Sequence, residues 1–432
     1  MTSKNQRNRT KPAAGDPSAE TTGRYLVTFR PESRSSLLAA LRDASVSAVA
    51  TADFSDGIAA QADAADGVLF EHLHVAVVDV NPEQLVRLNE AAADDDSAIA
   101  SIEPERYVDA IADGRFDEGY LRGFVAGVNN LAEQLLRGVT APDDAGSSAQ
   151  TYVDTAELTW GLQAVRAHQS RYTGKGVRVA VLDTGMELTH PDFTGRSLTS
   201  ATFVPGEVVR DVQGHGTHCI GTACGPTAMS GERRHGLAGE SHIFVGKVLS
   251  NAGRGQDAWI LNGINWAIEN RVAVVSMSLG RPVAPGEVHS PAYERAAKSA
   301  LEAGTLIVAA AGNAGDTPVG SPANCPSIMA VAAVDSRLRR ASFSCVGGTL
   351  TGSEVNIAGP GVDVFSSFPL PGRHRVMSGT SMATPHVAGC AALWVQSTGL
   401  RGRALWQKLL STAVNLGLPA QHVGSGLVQA PT

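Results

Sequence analysis

Three short stretches of the chain bring together residue types that can run acyl-transfer chemistry. Asp183 closes the apolar run of VLDTG, His215 and His218 stand three apart in GHGTHCIG, and Ser381 follows the Gly-Thr turn of SGTSMATPHVAG. Attack on an acyl carbon by a hydroxyl needs a weak nucleophile, a base with a pKa near 7 and a fixed anion that orients that base. Ser381, His215 and Asp183 supply those three types. Ser381 opens a predicted helix over 381–396, where the positive helix end favours an attacking oxygen. The chain order Asp, His, Ser differs from the Ser, acid, His order of an α/β-hydrolase, and Ala383 stands where the G-x-S-x-G elbow requires glycine. Two other chemistries fit less well. A single DTG is half of an aspartic-protease dyad, and no second DTG or DSG supplies the carboxylate that must share the proton. His215 and Cys219 at i, i+4 share a helix face. The remaining neighbours Asp183, His190 and Asp192 lack the spacing of a recognised metal site, so no metal ligands are assigned.

The elements around these residues alternate strand and helix. Short apolar runs at 177–182, 243–249, 273–279, 306–311 and 328–334 read as buried strands, and 256–269, 291–303 and 381–396 as helices. Such alternation predicts an α/β domain over 151–432 with a mostly parallel sheet, whose chemistry lies beyond the carboxyl ends of the strands. Ahead of it, 24–110 reads β-α-β-β-α-β, a small α+β ferredoxin-like plan, with 51–71 unassigned. Residues 1–23 are polar and aperiodic and read as a disordered tail. Residues 111–150 hold an amphipathic helix over 117–139, with Leu121, Phe124, Val125, Val128, Leu131, Leu135 and Leu136 in one stripe, followed by the linker TAPDDAGSSAQ.

VLDTG, GHGTHCIGT and GTSMATPHVAG together resemble the signatures of the subtilase family of serine proteases, a likeness running from about Trp160 to Val428. The thiol of Cys219, directly after HGTH, resembles the proteinase K branch; its own role reads as that of a small core group. The resemblance implies a subtilisin-like three-layer fold and an endopeptidase in which Ser381 attacks, His215 carries the proton and Asp183 orients the imidazole. It implies that Asn313, in AAGN, donates to the oxyanion beside the Ser381 backbone N–H. It also implies that Ser278, Leu279 and Gly280 pair with an extended polypeptide substrate, and that Ala310, Ala311 and Gly312 form the opposite wall of the primary pocket. Specificity is then broad. The segment from Gly253 to Ala258 matches G-x-G-x-x-A, a dinucleotide pattern, but the family uses this loop beside the outer substrate pocket. Asp257 stands there in place of an aromatic residue, which predicts a preference for basic side chains. No cofactor is required. The branch's calcium site maps onto the carbonyls of Pro326 and Ile328 and onto Asn356, an amide where the family has a carboxylate, so only weak calcium binding is expected.

The N-terminal unit, through RYLVTFRP and VDVNPEQLVRLNE, resembles the family's propeptide, a chaperone and inhibitor acting within its own chain. Self-processing is expected near 109–116, within 140–150, or not at all. The competing reading is a catalytically silent scaffold that binds extended peptides.

With 432 residues, a net charge of −7 and pI near 5.9, the chain has no basic block that would mark a nucleic-acid partner. No apolar run approaches the roughly 18 residues of a membrane span. Five cysteines leave at least one unpaired within a single chain. Residues 1–25 lack the apolar core of a secretory leader, which together with the cysteine usage predicts a cytoplasmic setting.

Overall fold

The computed structural model describes residues 20–32, 34–51, 66–111, 151–227, 233–284, 286–348, 350 and 352–432. The predicted helix over 117–139, its linker and most of the N-terminal tail lie outside the described residues.

The N-terminal unit is a sheet with two helices on one face. Strand β1 (Thr21–Phe29) is followed by the helix Arg34–Asp43, β2 (Ala48–Ala50), β3 (Gly67–Phe70), β4 (Val75–Val78), the helix Pro82–Ala93 and β5 (Ile99–Ala110). The second helix is specified locally. Asn81 Oδ1 accepts from the N–H groups of Glu83 and Gln84, Gln84 Oε1 accepts from Asn81 N, and Pro82 pre-sets the first helical turn. Strands run in the order β5-β1-β4-β3-β2. The strand expected at 46–50 is thus an added edge, parallel to β3. The second strand of the split βαβ plan is β3, from the stretch the sequence left unassigned. Val27, Phe29, Leu37, Leu41, Leu69, Val78 and Leu88 form a core of their own.

The larger unit is built on a seven-stranded sheet ordered β14-β13-β12-β10-β6-β8-β7. Its strands are β6 (Arg178–Asp183), β7 (Leu198–Thr202), β8 (His242–Lys247), β10 (Val274–Met277), β12 (Leu306–Ala310), β13 (Met329–Val334) and β14 (Ile357–Pro360), with every neighbour parallel. The five predicted strands all occur, each buried on both faces, which is why they read as continuous apolar runs. The edge β7, with the sequence LTSAT and a half-exposed pattern, carries no such signal. Helices Asp257–Glu269 and Pro291–Glu302 cover one face, and His215–Cys224 and Thr380–Thr398 the other, giving three layers. Two short strands, β9 (Arg254–Gln256) and β11 (Leu279–Gly280), and the hairpin of β15 (Val364–Ser367) and β16 (His374–Met377) complete the set.

Strand β5 belongs to both units. Beyond its own sheet it enters the cleft of the larger unit, pairing antiparallel with β9 on one side and with β11 on the other. Glu103 Oε1 accepts from Ala292 N and Ser290 Oγ at the start of helix 291–302, and Glu105 Oε1 accepts from Ala258 N at the start of helix 257–269. Both carboxylates complete orphan donors of a helix N-terminus and meet its positive end. Arg24 in turn forks across Glu105 at 2.7 and 2.8 Å.

Candidate active site

Asp183 is the last residue of β6 and His215 the first of helix 215–224, so two carboxyl-end loops bring them together as the sheet rule requires. Asp183 Oδ1 and Oδ2 lie 2.8 and 3.0 Å from His215 Nδ1, and Oδ1 also accepts from Thr184 N at 2.7 Å. A carboxylate only accepts, so Nδ1 carries the proton and Nε2 is left as the base. Both side chains are buried. Burial disfavours the charged imidazole, yet the Asp183 charge and hydrogen bond outweigh it and hold His215 well above its ordinary value. His215 Nε2 has no hydrogen-bond partner among the described residues.

Ser381 sits in the first turn of helix 380–398, and a proline shapes that turn. Pro385 has no N–H to donate to the carbonyl four residues back, that of Ser381. Ser278 Oγ at 2.9 Å and Cys219 Sγ at 3.5 Å donate to it instead, tying the nucleophile's backbone to β10–β11 and to the His215 helix. The Ser381 hydroxyl donates to the carbonyl of Ile111, the residue following β5, and lies 3.2 Å from Ser278 O.

The same Ile111 carbonyl lies 3.3 Å from Asn313 Nδ2. Asn313 follows β12, and its amide orientation is fixed by Thr380, whose N and Oγ1 both donate to Asn313 Oδ1 at 2.9 Å. Thr380 carries no chemical signal of its own in the sequence, beyond being a hydroxyl residue next to the candidate nucleophile. Gly379 between them is required by space. A Cβ there would stand 3.0 Å from Asn313 Nδ2 and 3.3 Å from Ile111 O, at a φ of +153°.

Around this centre the cleft holds an extended chain. Ile111 N donates to Ser278 O at 3.2 Å, Ala110 pairs with Leu279 and Asp109 with Gly280, and on the other side Ala110 N donates to Gly253 O at 2.8 Å. A Cβ on Gly280 would come within 2.9 Å of the Ser321 carbonyl oxygen and 2.8 Å of Ile111 Cδ1, so glycine is needed beside the docked chain. Ala310 ends β12 and Ala311 and Gly312 follow it, with Ala311 bonded to Val331 and Gly320 and Gly312 bonded to Thr380 Oγ1.

Asp257 is placed differently from its expected part. It is buried and accepts from Arg106 N at 2.7 Å and Tyr293 Oη at 2.9 Å, so it grips the backbone of the docked strand and offers no open carboxylate to a basic side chain. Burial pushes its carboxyl up to about 7. Of the oxygen donors expected for calcium, the Asn356 amide is already engaged in the structure. Asn356 Oδ1 is committed to Ala330 N at 2.7 Å, and the residue carries no charge.

A family model described as the subtilase family matches residues 174–426, more than half of the sequence. The chain belongs to the subtilase family. This subtilase is 40% identical over 281 residues to subtilisin from Bacillus pumilus, covering 63% of this chain and 96% of the relative. It is 42% identical over 278 residues to subtilisin BL from Lederbergia lenta, covering 63% and 97%. Subtilisin E from Bacillus subtilis (strain 168) matches at 40% identity over 63% of this chain and 70% of the relative. A crystal structure of a cold-adapted subtilisin-like serine proteinase superposes with a TM-score of 0.56 at 32% identity, covering 64% of this chain and all of that one. The subtilase is a serine-type endopeptidase with the subtilisin-like fold.

The expected cytoplasmic setting is corrected by the same relatives, which are secreted extracellular proteases. That expectation rested on the missing apolar leader core in residues 1–25 and on the cysteine usage. All five cysteines of the subtilase are unpaired and buried, where they act as small apolar groups and carry no record of a redox compartment. Among the described residues no helix is long and apolar enough to cross a membrane.

Proposed function

We propose that the chain is a self-inhibited precursor of this endopeptidase, with residues 20–111 as its inhibitor domain, and that it processes itself at the bond between Ile111 and Ala112. One observation carries the reading: the Ile111 carbonyl is held between Ser381 Oγ and Asn313 Nδ2, at the end of a strand lying in the cleft as a substrate lies. In the reaction Ser381 turns its hydroxyl from the Ile111 oxygen to His215 Nε2, which takes the proton as Oγ attacks the Ile111 carbon. Asp183 keeps the imidazole in the right tautomer and stabilises its charge. The oxyanion is met by Asn313 Nδ2 and the Ser381 backbone N–H. The proton passes from His215 to the leaving amine, and water then releases the acyl-enzyme. Polypeptide substrates use the same β9 and β11 edges once β5 has left, which accounts for reading backbone more than side chains.

Intact mass and turnover of an unstructured protein, compared for the natural chain and Ser381→Ala, test this. The expected result is loss of residues 1–111 and digestion in the natural chain alone. If both proteins stay full length and inert, even after limited proteolysis between the units, the chain is a peptide-binding scaffold and the reading fails.

A further inference from the structure

Away from the cleft, three histidines converge on one buried carboxylate. Asp192 lies in the turn after β6, His235 ahead of β8, and His374 opens β16. His190 precedes the same turn as Asp192. Side-chain exposure is 0% for His190 and His235, 1% for Asp192 and 15% for His374. From Asp192 Oδ2 the distances are 3.1 Å to His374 Nε2, 3.4 Å to His235 Nε2 and 3.6 Å to His190 Nδ1. Donors around a tetrahedral zinc, with bonds of about 2.0 to 2.1 Å, stand about 3.3 to 3.4 Å apart. Three such edges radiate here from one oxygen. The ligand atoms of His190, Asp192 and His374 also lie within 4.8 Å of one another.

The protonation of the rings sharpens the point. His190 Nε2 faces Arg373 O at 2.7 Å and His235 Nδ1 faces Arg233 O at 3.2 Å. A carbonyl only accepts, so those nitrogens carry the protons. In the neutral rings His190 Nδ1 and His235 Nε2 are then lone pairs on the Asp192 side; the first accepts from Asp192 N at 3.1 Å and the second lies 3.0 Å from Ser367 Oγ, the donors that an ion would replace. Backbone carbonyls fixing the outer nitrogen of an imidazole are the usual support of a metal-bound histidine. Asp192 Oδ1 is buried and has no hydrogen-bond partner among the described residues, which leaves it free to turn toward an ion. Ser367 Oγ, 2.5 Å from Asp192 Oδ2 and 3.0 Å from His235 Nε2, supplies a hydrogen bond from the hairpin.

We propose that His190, Asp192 and His374, with His235 moving in from its 3.4 Å contact with Asp192 as the fourth ligand, bind a divalent transition-metal ion of the zinc class. His190 exchanges its 3.1 Å contact with Asp192 N for the metal. Three imidazoles and one carboxylate favour zinc, cobalt or nickel over calcium. The four residues lie in the turn after β6, ahead of β8 and on the β15–β16 hairpin, and none of them is one of the reacting groups, so the ion is a structural one. It fastens the β15–β16 hairpin, which leads directly into Gly379 and Ser381, to the turn behind β6.

Cobalt is the probe, added to the full-length Ser381→Ala protein, which cannot digest itself. One Co2+ per chain, with the visible bands of a tetrahedral ion and displaced by one Zn2+, is the expected result. His374→Gln, at the partly exposed end of the hairpin, and His235→Gln each weaken Zn2+ by about tenfold or more. Asp183, His215 and Cys219 form the one competing cluster of this kind among the described residues, so Cys219→Ala leaves the cobalt spectrum unchanged. The proposal is overturned if the unaltered site gives no tetrahedral bands, or if Cys219→Ala abolishes them while His374→Gln does not. The first of these needs no variant of the cluster to fold.

Discussion

Replacing Asp257 by asparagine isolates how the inhibitor domain responds to pH. In the docked state the carboxyl is enclosed between Arg106 N and Tyr293 Oη, and burial pushes it up to about 7, with the charges of Glu105 and Glu103 acting in the same direction. With β5 gone the burial it imposes is relieved, and the expected titration moves toward the ordinary value of about 3.9. Docking therefore favours the protonated acid. Its contribution is fully present below that ordinary value, is lost as pH rises through about 7, and changes no further above it. For one proton and these two values, the domain binds about tenfold more tightly at pH 6 than at pH 8, or about 1.4 kcal/mol. The assay is the inhibition constant of residues 20–111, which have a core of their own, against the processed enzyme across that interval. The natural enzyme should show the tenfold change and Asp257→Asn a shallow residue of it, due to Glu103, whose carboxyl burial also raises. Equal slopes for the two enzymes would show that Asp257 does not titrate on docking, and the reasoning from its burial would fall.

Three further outcomes follow from the site. Asn313→Ala should lower kcat by about 10² to 10³ with little change in KM, and a loss below about tenfold would remove the amide from the oxyanion. His215 must be neutral to act as a base and is held well above its ordinary value. kcat/KM should therefore fall about tenfold per pH unit below that raised value, and Asp183→Asn should move the acid limb to lower pH; an unmoved limb assigns it to another group. All five thiols are buried, so a thiol reagent should count none in the native protein and five after denaturation, and a native thiol that reacts within minutes contradicts the packing.

What the sequence made legible was whatever chemistry leaves a local mark. Asp183, His215 and Ser381 each sit among glycines and threonines at an element boundary, and the buried parallel strands announce themselves as unbroken apolar runs. Thr380 was missed because orienting an amide across the cleft needs only an ordinary hydroxyl, and nothing local separates it from a threonine in a turn. Glu103 and Glu105 alternate with apolar neighbours as any strand-surface residues do, and only docking reveals that each ends at a helix N-terminus. Asp257 was located in the right loop, but spacing cannot show that with β5 docked its carboxylate grips the Arg106 N–H and Tyr293 Oη. The four metal-site residues span 190 to 374, a separation that no motif scan joins.

The pairing of β5 has a consequence for what remains after it leaves. β9 and β11 have β5 as their strand partner and do not pair with each other. Removing β5 therefore exposes two unpaired sheet edges facing one gap, the very feature that soluble proteins otherwise cover, twist or charge. An emptied cleft is adhesive toward any extended chain, including the loosened segments of a second copy. Binding of an extended substrate and attack on a second copy would then share one structural origin.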